Sequence, residues 1–552
     1  LAQWRRIKAL LAEDLPSSDL RHIRCTRCKL LVDTDGVMAK GESPETLSAA
    51  VEKPHRHTSW LGRLFGFLGG RAVTVATTLE RLQHHCQQWA DRGSAPHTVV
   101  TLAGLATETL MEYGQREAAW RTARWLEARQ LADGSVSESR APEAVFTVTA
   151  AALRAWLACL PELAQFESSA QKAAQFLRQW IGGEGRVVPP KTRSWNYEGA
   201  DPFREPPDLT PLLRAGRRWP DTDWTTAALR GIDYWLTHGH RHSQPETTAA
   251  LVRRAFLYLE WNRRQEALPL VETMDRLQLA SGALPEREGQ RVVHLSTVAQ
   301  AATIWFRLYN QARGENAMRF LQRHLMPHGS LPATVNAGTN RDQEEDPLAL
   351  KYYLDATLWR VRCFAHAKLR EEVPLDASDP RLQKARSWAQ GLPAGAFVAD
   401  LGCGTGRYLR YLASWFPQLR WVGIDFLPEA LERVPKGIKT IEGSLLRVPV
   451  PEAAFHGVLM VDTLADVLLP QQALLEVVRI LRPGGRLLII EPVAKGRLCP
   501  ESPWAEPVTL QQVEKLLCGT CQQTHAETFV VSGGTFSSRS YAAISAIKMP
   551  RS

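Results

Sequence analysis

Two aspartates and three alternating glycines are the residues of this chain whose types and spacing imply chemistry most directly. In "VADLGCGTGRYL" (398–409) an apolar run ends in Asp400, gives way to Gly402, Gly404 and Gly406, and turns helical; Asp425 follows 21 residues after Gly404. Glycines after the first strand of a parallel sheet let the backbone approach a ligand at the strand's carboxyl end, beside a helix N-terminus. A dinucleotide fingerprint would need a third glycine at position 407, which is Arg407. Asp400 adds a carboxylate that repels a diphosphate and attracts an ammonium group. Asp425 stands at the distance from which an acidic side chain accepts both hydroxyls of a ribose. The predicted ligand is a nucleoside carrying a cationic or zwitterionic group, without an essential diphosphate, and S-adenosylmethionine fits.

Those residues need a sheet to hold them, and the last third of the chain supplies one. Strand candidates are "FVADL", "RWVGID", "GIKTIEG", "FHGVLMV" and "RLLIIEP". Between the last two, Leu474, Val477, Val478 and Leu481 form one apolar helical stripe, stopped at "RPGG" (482–485). A helix "TLQQVEKLL" then precedes "HAETFVV" and "SYAAISAIK", a closing pair of strands. Alternating strands and amphipathic segments predict a parallel sheet with crossover helices.

On "DLGCGTG" and "LRPGG", with Asp425 between them, residues 381–552 resemble the class I S-adenosylmethionine-dependent methyltransferases. The resemblance implies a Rossmann-like α/β domain, with Asp400, Gly402, Gly404 and Gly406 around the methionine part of the cofactor, Asp425 on the ribose and Phe426 beside the adenine. It also implies that Cys403, Leu445 and Val461 line the pocket. Ser444 stands where the family often has an aspartate facing the adenine amino group, and His456 replaces another frequent aspartate. The loop after the fourth strand, "VDTLADVLLP", is where the family commonly meets its substrate. It offers Asp462 and Asp466 as bases, or as a helix cap and a solvated carboxylate. No residue is assigned as catalytic.

The 552 residues are too many for one core. Residues 1–75 are irregular, 76–370 look helical, 371–380 ("EEVPLDASDP") read as a linker, and 381–552 form the α/β domain. In the helical part, similar segments recur around Gly93, Gly134, Gly185, Gly239, Gly282 and Gly329, each placed as a left-handed helix terminator. Amphipathic segments flank them, so six helix pairs are expected. "WLEARQLADGSV" resembles the repeat of (α/α)-toroid proteins such as terpene cyclases, prenyltransferases and some polysaccharide lyases or epimerases. The resemblance implies a closed ring with a central cavity suited to a polymer or glycan, which His294 and Tyr352 could line. An open helical solenoid is the alternative.

"CTRC" supplies Cys25 and Cys28, half of a tetrahedral zinc site that His55 and His57 could complete. Cys518 and Cys521 form a second close pair, read as buried thiols. Nine cysteines in so long a chain do not make a disulfide scaffold, so a reducing cytoplasmic setting is expected. The net charge of +9 is spread along the chain, with no basic tail or face for nucleic acid. No apolar run reaches transmembrane length; "WLGRLFGFLGG", from Trp60, reads as a buried or docking segment. The chain begins at Leu1, which leaves its true start open, and the sequence gives no oligomeric state.

The expected function is methyl transfer from S-adenosylmethionine to a small-molecule, glycan or lipid acceptor positioned by the helical domain. The alternative is a glycan-binding or glycan-modifying (α/α)-toroid protein whose methyltransferase domain is secondary or inactive.

Overall fold

The computed structural model describes residues 74–91, 96–136, 141–190, 202–238, 247–336, 344–369, 375–502, 504–505, 508–533 and 537–550, with the backbone of two short strands before them. The chain divides into two compact units, Leu1–Arg71 and Ala72–Ser552. In the first unit, β1 (His22–Arg24) pairs antiparallel with β2 (Leu31–Asp33). Cys25, Cys28, His55 and His57, the predicted zinc ligands, lie outside the described residues, as does the segment from Trp60.

The second unit opens with twelve helices among the described residues: α1 (Val75–Ala90), α2 (His97–Glu112), α3 (Arg116–Glu127), α4 (Pro142–Cys159), α5 (Glu167–Gln179), α6 (Thr210–Arg218), α7 (Trp224–His238), α8 (Thr248–Glu260), α9 (Arg264–Leu277), α10 (Leu295–Arg307), α11 (Gln311–His324) and α12 (Pro347–Lys368). Their sequences sort them into two kinds. α3 buries Ala119, Thr122, Ala123, Trp125 and Leu126 and exposes Glu117, Arg121 and Arg124. α10 is buried almost all round, from Leu295 to Phe306, as a helix enclosed by others must be. The even-numbered helices pack on one another, α2 on α4, α4 on α6, α8 on α10 and α10 on α12, and α12 packs back on α2. There, Tyr113 just past α2 donates to the Leu354 carbonyl (2.8 Å) and Thr109 to Asp355 (2.7 Å). A small antiparallel pair, β3 (Val292–His294) and β4 (Thr334–Asn336), sits among these helices.

The recurring glycines differ from their expected role. Gly134, Gly185, Gly282 and Gly329 do take left-handed φ values of 93°, 91°, 90° and 88°. They lie several residues beyond the helix ends, however, in a repeated turn. In its four copies Leu131, Gly182, Leu279 and Met326 each accept from the glycine three residues on and donate to the carbonyl of the residue after it. The reason is close packing: a Cβ on these glycines would fall 2.0–2.8 Å from the carbonyl oxygens of Lys172 in α5, Arg230 in α7, Asn316 in α11 and Thr77 in α1 respectively. Each turn is thus pressed against the backbone of a later odd-numbered helix, and the last is pressed against the first. Gly93 and Gly239 lie outside the described residues.

The α/β part follows with α13 (Pro380–Gln390), β5 (Phe397–Leu401), α14 (Arg407–Trp415), β6 (Arg420–Asp425), α15 (Pro428–Leu431), β7 (Lys439–Glu442), β8 (Phe455–Val461), α16 (Pro470–Ile480), β9 (Leu481–Ala494), β10 (Arg497–Leu498), α17 (Leu510–Cys518), β11 (Cys521–Gly533) and β12 (Ser537–Lys548). The sheet order is β11-β12-β9-β8-β5-β6-β7, with β10 paired to β9. β7, β6, β5, β8 and β9 run parallel, and β12 lies antiparallel to both its neighbours. Alternate residues of the strands enter two cores. Ala399, Leu401, Val458 and Ile489 pack with α16 and α17, while Val398, Leu459, Ile490 and Tyr541 pack with α13 and α14. The strands are apolar on both faces because helices cover both. "RPGG" does stop α16, at Ile480, and its residues bulge from the sheet: β8 pairs Phe455 with Leu481 and then Gly457 with Arg486.

The helical and α/β parts fall within one unit, and their junction is buried. Leu446, from the loop after β7, belongs to the helical core, and Val467, Leu468 and Leu469 pack against it. Glu476 on α16, 2% exposed, takes two bonds from Arg116 (2.6 and 3.0 Å), two from Arg479 (3.0 and 2.8 Å) and one from the Val448 amide (2.9 Å). Arg447 reaches back to Glu162 (2.6 Å) and to the Ala158 carbonyl (2.7 Å). Gly114, with φ 72°, lies so close that a Cβ would fall 2.1 Å from the Leu446 carbonyl oxygen, whereas one on Gly289, φ 78°, meets nothing within 4 Å. Gly289→Ala should cost about 1 kcal/mol, the conformational penalty alone. Gly114→Ala should cost at least twice that in chemical denaturation, and equal losses would disprove the close fit.

Candidate functional site

The chain order of the sheet reverses between β5 and β8, and at such a switch point the carboxyl ends of the strands leave a crevice. A cavity of about 590 Å³ lies there. Nine of the ten residues predicted for the cofactor line it: Asp400, Gly402, Cys403, Gly404, Asp425, Phe426, Ser444, Leu445 and Val461. Gly406 does not. It caps α14 with φ 77°, and its absent side chain makes room for Pro435 and Val434 behind the loop.

Local structure explains each placement. Asp400 ends β5 on the central strand, 2% exposed, and its Oδ2 has no hydrogen-bond partner. Burial, reinforced by the neighbouring Asp425, pushes its carboxyl up to about 8. Asp425 ends β6; one oxygen accepts from the Gly404 amide (3.0 Å) and the other from Leu427 (2.9 Å). Burial also raises Asp425, opposed by those amides. A carboxylate has about four acceptor positions, so acceptor capacity remains on Asp425. Gly402 has φ 71°, and a Cβ there would strike Thr463 at 2.4 Å; one on Gly404, φ 52°, would project into open space. Ser444 stands at the predicted place, with its Oγ accepting from the Leu446 amide (3.2 Å). His456 faces away from the cavity, accepting from the Phe397 amide (3.1 Å) with Arg482 on its other nitrogen (2.8 Å).

The site's residues fit S-adenosylmethionine. A buried carboxylate oxygen without a partner, beside an unfilled glycine cradle, suits a cationic group, and Asp425 retains room for hydroxyl donors.

Asp462 and Asp466 both line the cavity. Asp462 has φ 52°, a conformation aspartate tolerates better than most residues, and its carboxylate accepts from Arg381 (2.7 Å). Burial pushes it up, while Arg381 and Arg407 pull it down. Asp466 accepts from the Ser502 amide (2.6 Å) and so ties down the segment after β10.

Two features of the site escaped the sequence reading. Glu491, fully buried on β9, accepts from the amides of Thr463 (2.8 Å), Leu464 (2.6 Å) and Ala465 (3.3 Å) and thereby holds the loop after β8. Burial, then Asp462, pushes it up to about 8. The signal was available, a lone carboxylate at the end of the apolar run "RLLIIEP". The second is the wall opposite the glycines, built from the helical part: Glu112 and, on α12, Leu358, Val361, Arg362, Phe364 and Ala365.

A second cavity, about 910 Å³, is enclosed by the even-numbered helices. Tyr352 lines it as expected; His294 lies in β3, 3.7 Å from Glu286, and is not part of its wall. Cys518 is an exposed free thiol, contrary to the buried reading, and Cys521 a buried one. Among the described residues no group of three or more His, Cys, Asp or Glu side chains could hold a metal, and no helix is long and apolar enough to cross a membrane.

Residues 399–489 match the methyltransferase domain family. The chain is 35% identical over 126 residues to a demethylmenaquinone methyltransferase of Deinococcus radiodurans, covering 20% of this chain and 52% of that protein. It is 39% identical over 116 residues to a 2-phytyl-1,4-naphtoquinone methyltransferase of Thermosynechococcus vestitus, covering 20% and 51%. The chain therefore spans about half the length of these curated relatives. Among solved structures, a SAM-dependent methyltransferase from Aquifex aeolicus is similar at 19% identity and a TM-score of 0.27, over 34% of this chain and 98% of that one. The sheet, the glycine loop and the family match agree, and together they support a class I S-adenosylmethionine-dependent methyltransferase domain in the C-terminal part of this chain.

Proposed function

We propose that the protein transfers a methyl group from S-adenosylmethionine to a small-molecule acceptor, a glycan or lipid being within that class, and that the helical part positions the acceptor. The observation that carries this reading is the unpartnered Asp400 oxygen in a cavity whose wall it shares with Gly404 and Asp425. In this reading Asp400 and the backbone of residues 402–406 hold the zwitterionic end, Asp425 the ribose, and Phe426, Ser444 and Leu445 the adenine. When bound, S-adenosylmethionine supplies an activated methyl group, whose carbon an acceptor's lone pair takes while the C–S bonding pair stays on sulfur. The chain's work is then to hold the acceptor in line, which can supply much of the acceleration. For a hydroxyl acceptor the released proton needs a base, and Asp462 is placed to take it at the cavity wall.

The helical part, 76–370, is read as a closed (α/α) toroid of six helix pairs. The contact of the Gly329 turn with Thr77, and the bonds from Thr109 and Tyr113 to α12, support closure. The quinone substrates named for the relatives make a small aromatic acceptor one member of the proposed class.

Calorimetric titration with S-adenosylmethionine tests the reading. Asp425→Ala removes the acceptor for two hydroxyls, each charged hydrogen bond being worth about 1.5–3 kcal/mol, so affinity should fall at least ~100-fold. Wild-type protein that fails to bind the cofactor would sink it.

A further inference from the structure

The two cavities share a wall. Glu112, Leu358 and Arg362 line both of them. α12 runs past both: Leu348, Lys351, Tyr352, Asp355 and Trp359 line the helical cavity, and Val361, Phe364, Ala365, Lys368 and, just past its end, Leu369 line the α/β cavity, with Leu358 and Arg362 lining both. Spacings of three and four link these residues in a path that winds round a single helix through Leu358 and Arg362, so anything extended along it would reach from one chamber into the other.

The chemistry of the helical chamber restricts what that could be. Six cationic and seven carboxylate side chains line it, so their charges nearly cancel. Most are bound to each other. Arg154, 4% exposed, donates to Asp208 (2.9 and 3.2 Å) and to Glu108 (3.2 Å); Arg214 donates to Glu108 and to Glu260 (3.1 Å), and Arg307 to Glu260 (2.6 Å). Burial works against the Glu108 carboxylate, but Arg214 and Arg154 outweigh it and hold it far below the usual range. Lys351, 5% exposed, is paired with Asp355 (2.5 Å).

A polyanion or polycation would find its counter-charges here already matched. An isoprenoid tail would have to strip water from guanidinium and carboxylate groups without replacing their hydrogen bonds, which is costly. A hydroxyl group can donate to a carboxylate and accept from a guanidinium at once, and so suits a wall where the two alternate. Phe256, Tyr352 and Trp359 add aromatic surface, the first two in edge-to-face contact at 6.2 Å; Lys351 lies over Tyr352 (4.5 Å), Arg307 over Phe256 (5.6 Å), and Arg307 and Arg362 over Trp359 (5.2 and 4.8 Å), and the C–H face of a sugar ring can lie against the ring surface those cations leave open.

We propose that the helical chamber is the outer half of the acceptor site, that it takes a neutral, hydroxyl-rich chain of the carbohydrate class, and that Glu112, Leu358 and Arg362 form the threshold across which the end to be modified enters the α/β cavity. The second half of this statement rests on the methyltransferase reading; binding in the helical chamber does not. The volume of about 910 Å³ is at the upper end of small-molecule sites and admits an oligomer rather than a single ring.

The test is calorimetric titration of the full chain with maltotriose and cellotriose, set against trigalacturonate and farnesol. At least one neutral trisaccharide should bind with a Kd below about 10 mM, and more tightly than either control. Tyr352→Leu and Arg253→Ser, two changes in the chamber wall, should each weaken it several-fold with the melting temperature unchanged, and Asp425→Ala should leave it intact while losing S-adenosylmethionine. Cofactor binding that fails while the trisaccharide still binds would overturn only the methyltransferase reading. No neutral trisaccharide bound, tighter binding of farnesol or trigalacturonate, or wild-type affinity in both chamber variants would each overturn the chamber assignment.

Discussion

Asp400→Asn is expected to make the ligand-free protein more stable and to abolish binding of S-adenosylmethionine. The carboxyl at 400 is almost fully buried, leaves one oxygen unpartnered, and is pushed from an ordinary 3.8 up to about 8 by burial and by Asp425. Below 3.8 it is protonated in both the folded and unfolded chain, so Asn and Asp should differ little. Between 3.8 and about 8 the unfolded chain releases the proton while the folded chain keeps it, and the native aspartate loses stability by at most ~1.4 kcal/mol per pH unit. The advantage of Asn therefore grows across that window and levels off above it. Thermal melts from pH 4 to pH 9 would reveal the widening gap; a variant less stable than wild type at pH 8 would refute the assignment. The same substitution removes the charge that a cationic ligand would neutralise, so the thermal shift produced by the cofactor should vanish. Stability gained and binding lost at one atom is the signature of a group kept for its ligand.

Glu476→Ala should be strongly destabilising. It leaves the Arg116 and Arg479 guanidinium groups and the Val448 amide without their common acceptor, in a place where Glu476 is 2% exposed. Arg116 keeps Glu162 and Arg479 keeps the Val448 and Val450 carbonyls, so the loss should lie near about 3 kcal/mol, the lower end for a broken buried pair. Because the contact joins the helical part to α16, calorimetry should resolve the single unfolding transition into two, with the α/β part melting first. Burial opposes the Glu476 carboxylate, but Arg479 and Arg116 hold it below its ordinary value. Its contribution is therefore present above the ordinary carboxylate range and disappears as pH falls through the lowered native value. One transition with an unchanged midpoint would show that the junction does not couple the two parts.

The cofactor end of the site was legible because it is local. The loop "DLGCGTG", the strand before it and Asp425 are set by short-range geometry; Asp400, Gly402, Gly404 and Asp425 meet at one cavity, while Gly406 caps α14 behind it. The turn glycines were legible as left-handed, yet not as packing contacts, since the carbonyls they touch belong to helices not adjacent in sequence. Glu476 and Arg116 on their helices, and Arg447 and Glu162 in loops, look in the sequence like any solvated charges. Only their meeting at the junction distinguishes them. The wall supplied by α12 was hidden for the same reason: "KYYLDATLW" reads equally well as a core helix, and nothing in it points to a site more than thirty residues further along.

The seat of the Gly329 turn on Thr77 has a consequence for how the chain is made. A ribosome delivers α1 first and this turn after eleven helices have emerged, so the Thr77 end of α1 must wait for this neighbour while the repeats between them assemble in order.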